Sequence, residues 1–114
     1  MKPVEIAHNL VYIASDLQAE DIVLLDISQI SSFADYFVIL TAGTNRQSRA
    51  MRDDMVRSLK EQGIRLGYPE GRSDSGWMLL DFGDVIVHIF SAEKRQYYNL
   101  EELWANAAQI IAIH

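Results

Sequence analysis

Apolar positions along the first third of the chain change from a helical spacing to a strand-like one. From Val4 to Leu17 they recur every three or four residues, after a proline at position 3, which predicts an amphipathic helix. Two short, continuous apolar runs follow, Asp21 to Ser28 and Asp35 to Ala42. Runs of this kind are typical of strands that are buried on both faces. The pattern therefore predicts a helix and then two buried strands.

The middle of the chain predicts a second helix and a short third strand. Met51, Met55 and Leu59 form one apolar line through a charged segment, and a helix from about Asn45 to Gln62 accounts for this spacing. The residues near Ile64 to Tyr68 then predict a short strand, and a polar, glycine-rich loop follows it.

The stretch GWMLLDFGDVIVHIF, residues 76–90, predicts a β-hairpin with two different faces. A two-residue turn at Gly83 and Asp84, with glycine first as in type II′, determines which flanking residues share a face. One face is wholly apolar and is predicted to be core: Met78, Leu80, Phe82, Val85, Val87 and Ile89. The other face carries the three residues that a buried hairpin does not need, together with three apolar ones: Trp77, Leu79, Asp81, Ile86, His88 and Phe90.

The C-terminal segment NLEELWANAAQIIAI predicts a final helix. Asn99 is a candidate N-cap, and Glu102 lies three residues later, as in a capping box. A stripe of apolar residues with helical spacing follows: Leu100, Leu103, Trp104, Ala107 and Ile111. The complete order of elements is then α-β-β-α-β-β-β-α.

This order predicts the fold class. We expect a single domain over residues 1–114 with an α/β (α+β) fold, in which helices flank a mixed sheet of about five strands. The helix between the second and third strands predicts a parallel, right-handed crossover. Short turns between the other neighbours allow antiparallel pairs.

Composition and charge narrow the classes of function. The chain has no cysteine, which excludes disulfides, thiol nucleophiles and cysteine-ligated metal sites. Its formal net charge of −6 disfavours a nucleic-acid surface and favours a basic protein partner. The N-terminus does not resemble a signal peptide, and no apolar run reaches the roughly 18 residues of a membrane span. We expect a soluble, cytoplasmic protein.

The mixed face of the hairpin has several interpretations. Asp81 and His88 lie diagonally, so the carboxylate could orient the imidazole for catalysis, or the two could form a satisfied buried pair. A metal site is disfavoured because one histidine and one carboxylate are too few ligands. A protein-binding patch explains Trp77 best, because tryptophan and tyrosine are enriched at the energetic centres of interfaces.

The segment TAGTNRQS lies between a strand and a helix, where phosphates often bind. It has a single glycine and matches neither G-x-G-x-x-G nor G-K-[ST], so Thr44 and Asn45 are more simply explained as helix N-caps. The unit also resembles the start of a nucleotidyltransferase fold. Such enzymes need a closely spaced carboxylate pair, and Asp81 and Asp84 have the wrong spacing. The sequence thus predicts a nucleotidyltransferase-like fold without its catalytic carboxylates.

Five segments are distinctive when taken in order: DIVLLDIS, SSFADYFVILTAGTNRQSRAM, EG, WMLLDFGDVIVHIF and RQYYNLEELW. The most specific patterns are W-x-x-x-D-x-G-D-x-x-x-H, from Trp77 to His88, and R-x-x-Y-x-L-E-x-L-W, from Arg95 to Trp104. From about Leu17 to Trp104 the chain resembles the ribosome silencing factor family, also called Iojap-like.

The resemblance implies a non-enzymatic translation repressor, often dimeric, with no cofactor. It implies binding to the large ribosomal subunit through its fourteenth ribosomal protein, on the face that meets the small subunit. The bound factor would then block subunit joining sterically when nutrients are scarce. The alternative is a nucleotide- or metal-dependent transferase that uses Asp81 and His88.

The binding surface predicted on this basis has Trp77 and Tyr98 as its anchors and Asp81 as a charged contact. Arg95 is equally explained as a brace for the last helix. The full set of predicted protein-binding residues is Glu70, Trp77, Leu79, Asp81, His88, Arg95 and Tyr98.

Overall fold

Nine helices and strands make up the part of the chain that the computed structural model describes, residues 1–67 and 75–113. In chain order they are α1 (Pro3–Asp16), β1 (Glu20–Asp26), β2 (Tyr36–Thr41), α2 (Asn45–Glu61), β3 (Trp77–Asp81), β4 (Val85–Phe90), α3 (Ala92–Tyr98), α4 (Leu100–Leu103) and β5 (Ala108–Ile113). The first two helices, the first two strands and the hairpin lie within two residues of their predicted positions. Thr44 caps α2 as predicted, because its Oγ1 accepts a hydrogen bond from the Gln47 backbone N–H at 3.0 Å.

The strands form one mixed sheet in the order β3-β4-β2-β1-β5. The pair β2 and β4 is parallel, and the other neighbouring pairs are antiparallel. A mixed sheet of five strands flanked by helices was predicted, and this fold class is confirmed. The parallel crossover runs from β2 through α2 to the hairpin, where it reaches β4 rather than a strand directly after α2.

The predicted strand near Ile64 to Tyr68 is wrong for residues 64–67, which are not part of the sheet, and Tyr68 lies outside the described residues. Ile64 and Leu66 pack against the core beneath α1 and α2. Gly67 donates one backbone hydrogen bond to the Asp81 carbonyl at 2.7 Å. These apolar residues therefore cover the core without forming a ladder.

The hairpin has the predicted register. Trp77 pairs with Phe90 and Leu79 with His88. The turn has positive φ at Gly83 (+90°) and not at Asp84, as a type II′ turn requires. The face predicted to be core packs against α1 and α2 in one cluster, to which β1 and β2 also contribute. That prediction is confirmed.

The predicted C-terminal helix is wrong. Helix α4 ends at Leu103, and Ala108–Ile113 forms β5, which pairs antiparallel with β1. Asn99 does not cap a long helix: it has φ +48°, and its side chain donates to Glu102 Oε2 at 2.6 Å. Ile111 pairs with Leu24 and packs against the core between the sheet and helices α1 and α2. Pairing with β1, together with the β-branched residues of this segment, outweighs its helical spacing.

Helix α3 was not predicted. The Ser91 side chain caps it by accepting from the Lys94 backbone N–H at 3.2 Å. Its residues carry no apolar stripe, and none of them is fully buried. The only local signal is a capping serine before the helix-forming residues Ala-Glu-Lys-Arg-Gln. In the described part of the chain, no helix has both the length and the apolar character needed to cross a membrane.

Candidate protein-binding surface

The second face of the sheet, opposite α1 and α2, carries the predicted site. Register places Trp77, Phe90 and Thr41 in one row across β3, β4 and β2. Leu79, His88 and Ile39 form the next row, so side chains from three strands lie side by side. This face has its own apolar cluster, but its cover is α3, α4 and loops rather than two long helices.

Trp77 and Tyr98 form the aromatic centre of this face. Their ring centroids are 4.5 Å apart, and Trp77 also stacks on Phe90 at 5.3 Å with an interplanar angle of 22°. Trp77 is half-buried, whereas Tyr98, at the end of α3, remains 42% exposed. The rings are therefore held by packing and still present an aromatic edge to solvent. We call Trp77, Tyr98, Leu79 and Asp81 the aromatic patch.

His88 is buried beneath the aromatic patch, with only 4% of its surface exposed. Its Nδ1 accepts a hydrogen bond from the Trp77 indole N–H at 3.2 Å. Burial in apolar surroundings lowers the pKa of His88 from its ordinary 6.5 to about 4, so the ring is neutral near pH 7. Because Nδ1 is the acceptor, the proton lies on Nε2, which has no hydrogen-bond partner among the described residues.

The structure does not form the predicted pair of Asp81 and His88. Asp81 Oδ1 accepts from the Gly83 backbone N–H at 2.8 Å and so stabilises the hairpin turn. The imidazole is oriented by Trp77 instead. Neither the catalytic dyad nor the satisfied Asp–His pair is present, because the carboxylate bonds within its own turn. Among residues 1–67 and 75–113, no three His, Cys, Asp or Glu side chains are grouped as metal ligands.

Arg95 braces α3 against the sheet. Its guanidinium, which is mostly buried, donates to the Asp21 backbone carbonyl and to Thr41 Oγ1, the latter at 3.1 Å. It also lies 3.4 Å from the Glu101 carboxylate in α4. One side chain thereby links β1, β2, α3 and α4, and this fixes the position of Tyr98 one turn further along α3.

The remaining predicted residues differ in their placement. Leu79 and Asp81 are half-buried on β3, beside Trp77. Glu70 lies outside the described residues. The structure thus brings Trp77, Leu79, Asp81 and Tyr98 together at one surface, with His88 beneath it and Arg95 supporting it from the side.

Three aromatic residues that the sequence did not assign to the site extend this face. Phe37 meets His88 edge-on at 4.7 Å, and Trp104 meets Phe37 edge-on at 5.0 Å. Beyond them, Phe33 lies 6.1 Å from both Phe37 and Trp104 and is largely exposed. The signal for Phe37 is its alternation with Ile39 in β2, which becomes informative only when β2 is known to pair with β4.

A cavity of about 500 Å³ opens on the other side of α3. Its polar lining includes Glu20, Asp21, Glu101 and Arg95. Three carboxylates against one guanidinium among these residues make this flank of the second face negative. A positively charged partner would be attracted to it.

These features define the class of protein: a small α+β protein with a mixed five-stranded sheet and a half-exposed aromatic patch on one face. The family model described as "Ribosomal silencing factor during starvation" matches residues 1–114. The chain belongs to this ribosomal silencing factor family. The description names a regulatory role rather than a catalytic one.

Individual relatives agree with this assignment. The ribosomal silencing factor RsfS of Bacillus subtilis is 42% identical over 92 residues, which cover 81% of this chain and 78% of that protein. The chloroplastic protein Iojap of Zea mays is 38% identical over 104 residues, which cover 91% of this chain and 45% of that protein. A crystal structure of a Chromobacterium violaceum protein superposes with a TM-score of 0.87 at 32% identity, covering 100% of this chain and 95% of the other.

Proposed function

We propose that this protein binds the large ribosomal subunit through its basic fourteenth ribosomal protein and thereby prevents the small subunit from joining. The resulting loss of active ribosomes would repress translation when nutrients are limiting. Membership of the silencing factor family supports a ribosomal partner. The observation that carries the proposal of a contact surface is the half-exposed pair of Trp77 and Tyr98 on the second face of the sheet.

The aromatic patch has the properties of an interface centre. Tryptophan and tyrosine contribute large contact areas at a low cost in side-chain entropy, and they dominate many measured interfaces. Here Trp77 is already ordered by stacking on Phe90 and by its hydrogen bond to His88, and Tyr98 packs against Trp77 with ring centroids 4.5 Å apart. Little freedom is therefore lost when a partner packs against them, which favours affinity.

Charge supports a basic protein as the partner. The chain has a formal net charge of −6, and the flank of the second face carries Glu20, Asp21 and Glu101 around one arginine. A ribosomal protein that lies on RNA is typically basic. Complementary potentials would steer the encounter and orient the complex, whereas direct contact with RNA phosphates would be repelled.

The proposed mechanism is steric. The described part of the molecule measures 34 × 32 × 24 Å, so a bound copy fills a substantial volume at the subunit interface. The mechanism requires no bond to be made or broken, and we propose no enzymatic activity. A factor of this kind would act in the cytoplasm, where it meets free subunits.

The experiment that tests the surface is co-sedimentation of purified variants with isolated large subunits. Trp77→Ala is expected to weaken binding roughly 30-fold, as for a hot spot worth about 2 kcal/mol. The matched control is Tyr12→Ala, because Tyr12 is 71% exposed on α1, at the opposite face. Circular dichroism and urea unfolding would verify that both variants are folded. Equal binding by the folded Trp77→Ala variant and the wild type would contradict the proposed surface.

The alternative transferase is tested by incubation with nucleotides and Mg²⁺. Asp81 and His88 each hydrogen-bond to a different neighbour, so no acid–base pair supports this function. We expect neither saturable nucleotide binding in calorimetry nor turnover. Either result would favour the transferase over a purely steric factor.

We also propose that a second copy of this chain pairs with the outer edge of β5. This strand has the sequence AQIIAI, carries no charge, and has only β1 as a neighbour among the described strands. Ile110 is 43% exposed there. Two β5 strands related by a twofold axis can pair antiparallel without placing like charges opposite each other.

A further inference from the structure

The imidazole of His88 is buried and can contact only the protein residues around it. It is buried between β3 and β2, where Trp77, Phe90 and Phe37 surround it with ring centroids at 6.0, 6.2 and 4.7 Å. With 4% of its surface exposed, it cannot contact a partner protein that docks on this face. Any effect of His88 on the proposed binding must therefore be indirect, through the position of the residues that cover it.

The strongest of these links is the hydrogen bond from the Trp77 indole N–H to His88 Nδ1. The two titratable groups of the aromatic patch, Asp81 and Tyr98, do not bond to the imidazole. Asp81 bonds to the Gly83 backbone, and the ring of Tyr98 contacts Trp77 and Phe90. On β2, the strand that flanks β4 on its other side, Ile39 pairs with His88, and the Phe37 ring meets the imidazole edge-on. Among the described residues, the Trp77 indole is the hydrogen-bond partner of Nδ1.

This hydrogen bond distinguishes two orientations that stacking does not. The second side-chain torsion of tryptophan has a broad, roughly twofold distribution. A Trp77 ring turned over by half a rotation would still present its faces to Phe90 and Tyr98. In the observed orientation the indole N–H donates to His88 Nδ1 at 3.2 Å, and turning the ring over would break this hydrogen bond. The acceptor on His88 thus selects one edge of the indole for display to solvent.

We propose that His88 is a positioning residue, which holds the Trp77 indole in one orientation and so shapes the aromatic patch without touching the partner. This inference rests on the proposed function in so far as the patch is the binding surface. The orienting effect itself is a property of the free protein, and it is measurable without ribosomes.

The first test is made on the unmodified protein labelled with ¹⁵N. An N–H···N hydrogen bond transmits a scalar coupling between its two nitrogens, so the indole nitrogen of Trp77 should show a cross-peak to His88 Nδ1. A Trp104→Phe variant assigns the two indole resonances, because Trp77 and Trp104 are the tryptophans of the chain. A sharp Trp77 indole signal without any coupling to His88 would overturn the proposal.

The second test uses two variants that match each other in shape. Asparagine places an oxygen acceptor where Nδ1 lies, and leucine places a methyl group there. His88→Asn should retain a hydrogen-bonded indole resonance and large-subunit affinity within about twofold of the wild type. His88→Leu should shift or broaden that resonance and weaken binding about fivefold, the loss expected for one hydrogen bond.

The outcomes separate the two proposals. Equal loss of affinity in both folded variants, or full affinity of His88→Leu with an unchanged indole resonance, would show that the ring only fills space. If the wild type does not bind large subunits at all, the proposed function fails, and the indole coupling still decides whether His88 orients Trp77. If either variant unfolds, the coupling in the wild type gives the decision.

Discussion

At the scale of single residues, the structure changes the interpretation of Asp81 and His88 in the hairpin. An aspartate and a histidine on one face suggest an acid–base pair, but each is satisfied or restrained by a different neighbour. Asp81 closes the turn at Gly83, and His88 receives the Trp77 indole N–H. The polar groups of this face therefore organise an aromatic surface, and they assemble no catalytic dyad.

The burial of His88 predicts how stability depends on pH. Its pKa is about 4 in the folded protein and about 6.5 in an unfolded chain, so between these values only the unfolded state takes up the proton. The free energy of unfolding should therefore fall as the pH drops below about 6.5. From pH 7 to pH 5.5 this residue should account for a loss of about 1 kcal/mol.

Urea unfolding of the wild type and of His88→Leu at both pH values measures this effect. The difference between the two proteins should change by about 1 kcal/mol, because leucine has no proton to bind. A pH dependence that is the same in both proteins would show that the imidazole is not buried as a neutral ring.

At the scale of elements, local pattern was sufficient for some predictions and not for others. The hairpin register follows from a glycine-containing turn and period-two alternation, which are both local, and the two faces were predicted correctly. Helix α2 is likewise indicated by its own Met51, Met55 and Leu59 line and by the Thr44 cap.

The C-terminal strand could not be predicted in the same way. Leu100, Leu103, Trp104, Ala107 and Ile111 fit a helical spacing, yet residues 108–113 pair with β1, more than 80 positions earlier in the chain. Nothing local shows that β1 has a free edge. The contribution of β2 to the site could not be predicted for the same reason. It depends on the parallel pairing of β2 with β4, and these strands are separated in the chain by α2.

The free edge of β5 gives a prediction for this scale. Light scattering should give the mass of a dimer for the wild type, whose monomer is 13.0 kDa. Ile110→Lys should give a monomer, because a lysine on an edge strand opposes pairing, and the exposure of Ile110 leaves the fold intact. Tyr12→Lys on α1 is the control, since Tyr12 is also exposed and lies away from β5. A wild type that is monomeric at high concentration would contradict the proposed pairing.

At the scale of the whole molecule, shape and charge support the proposed steric mechanism. A body of 34 × 32 × 24 Å with a net charge of −6 has one covered face on α1 and α2 and one face with the aromatic patch and an acidic flank. The face beneath α1 and α2 forms the main hydrophobic core, and the opposite face forms the surface that we propose contacts the ribosome.

Charge complementarity predicts that salt weakens binding. Raising monovalent salt from about 0.1 M, where the Debye length is about 10 Å, to about 0.3 M should lower the affinity for large subunits at constant Mg²⁺. The effect should lie mainly in the association rate, which stopped-flow fluorescence of a labelled protein can follow. An affinity that is independent of salt would contradict the role of charge and leave the aromatic contacts as the source of binding.

A sucrose-gradient assay of subunit joining measures directly whether the bound protein keeps the two ribosomal subunits apart. Isolated large subunits are incubated with saturating protein, small subunits are added, and the fraction of complete ribosomes is recorded. Complete ribosomes should largely disappear with the wild type and with Tyr12→Ala, but persist with Trp77→Ala at the same concentration. Normal joining in the presence of saturating wild-type protein would contradict the steric mechanism.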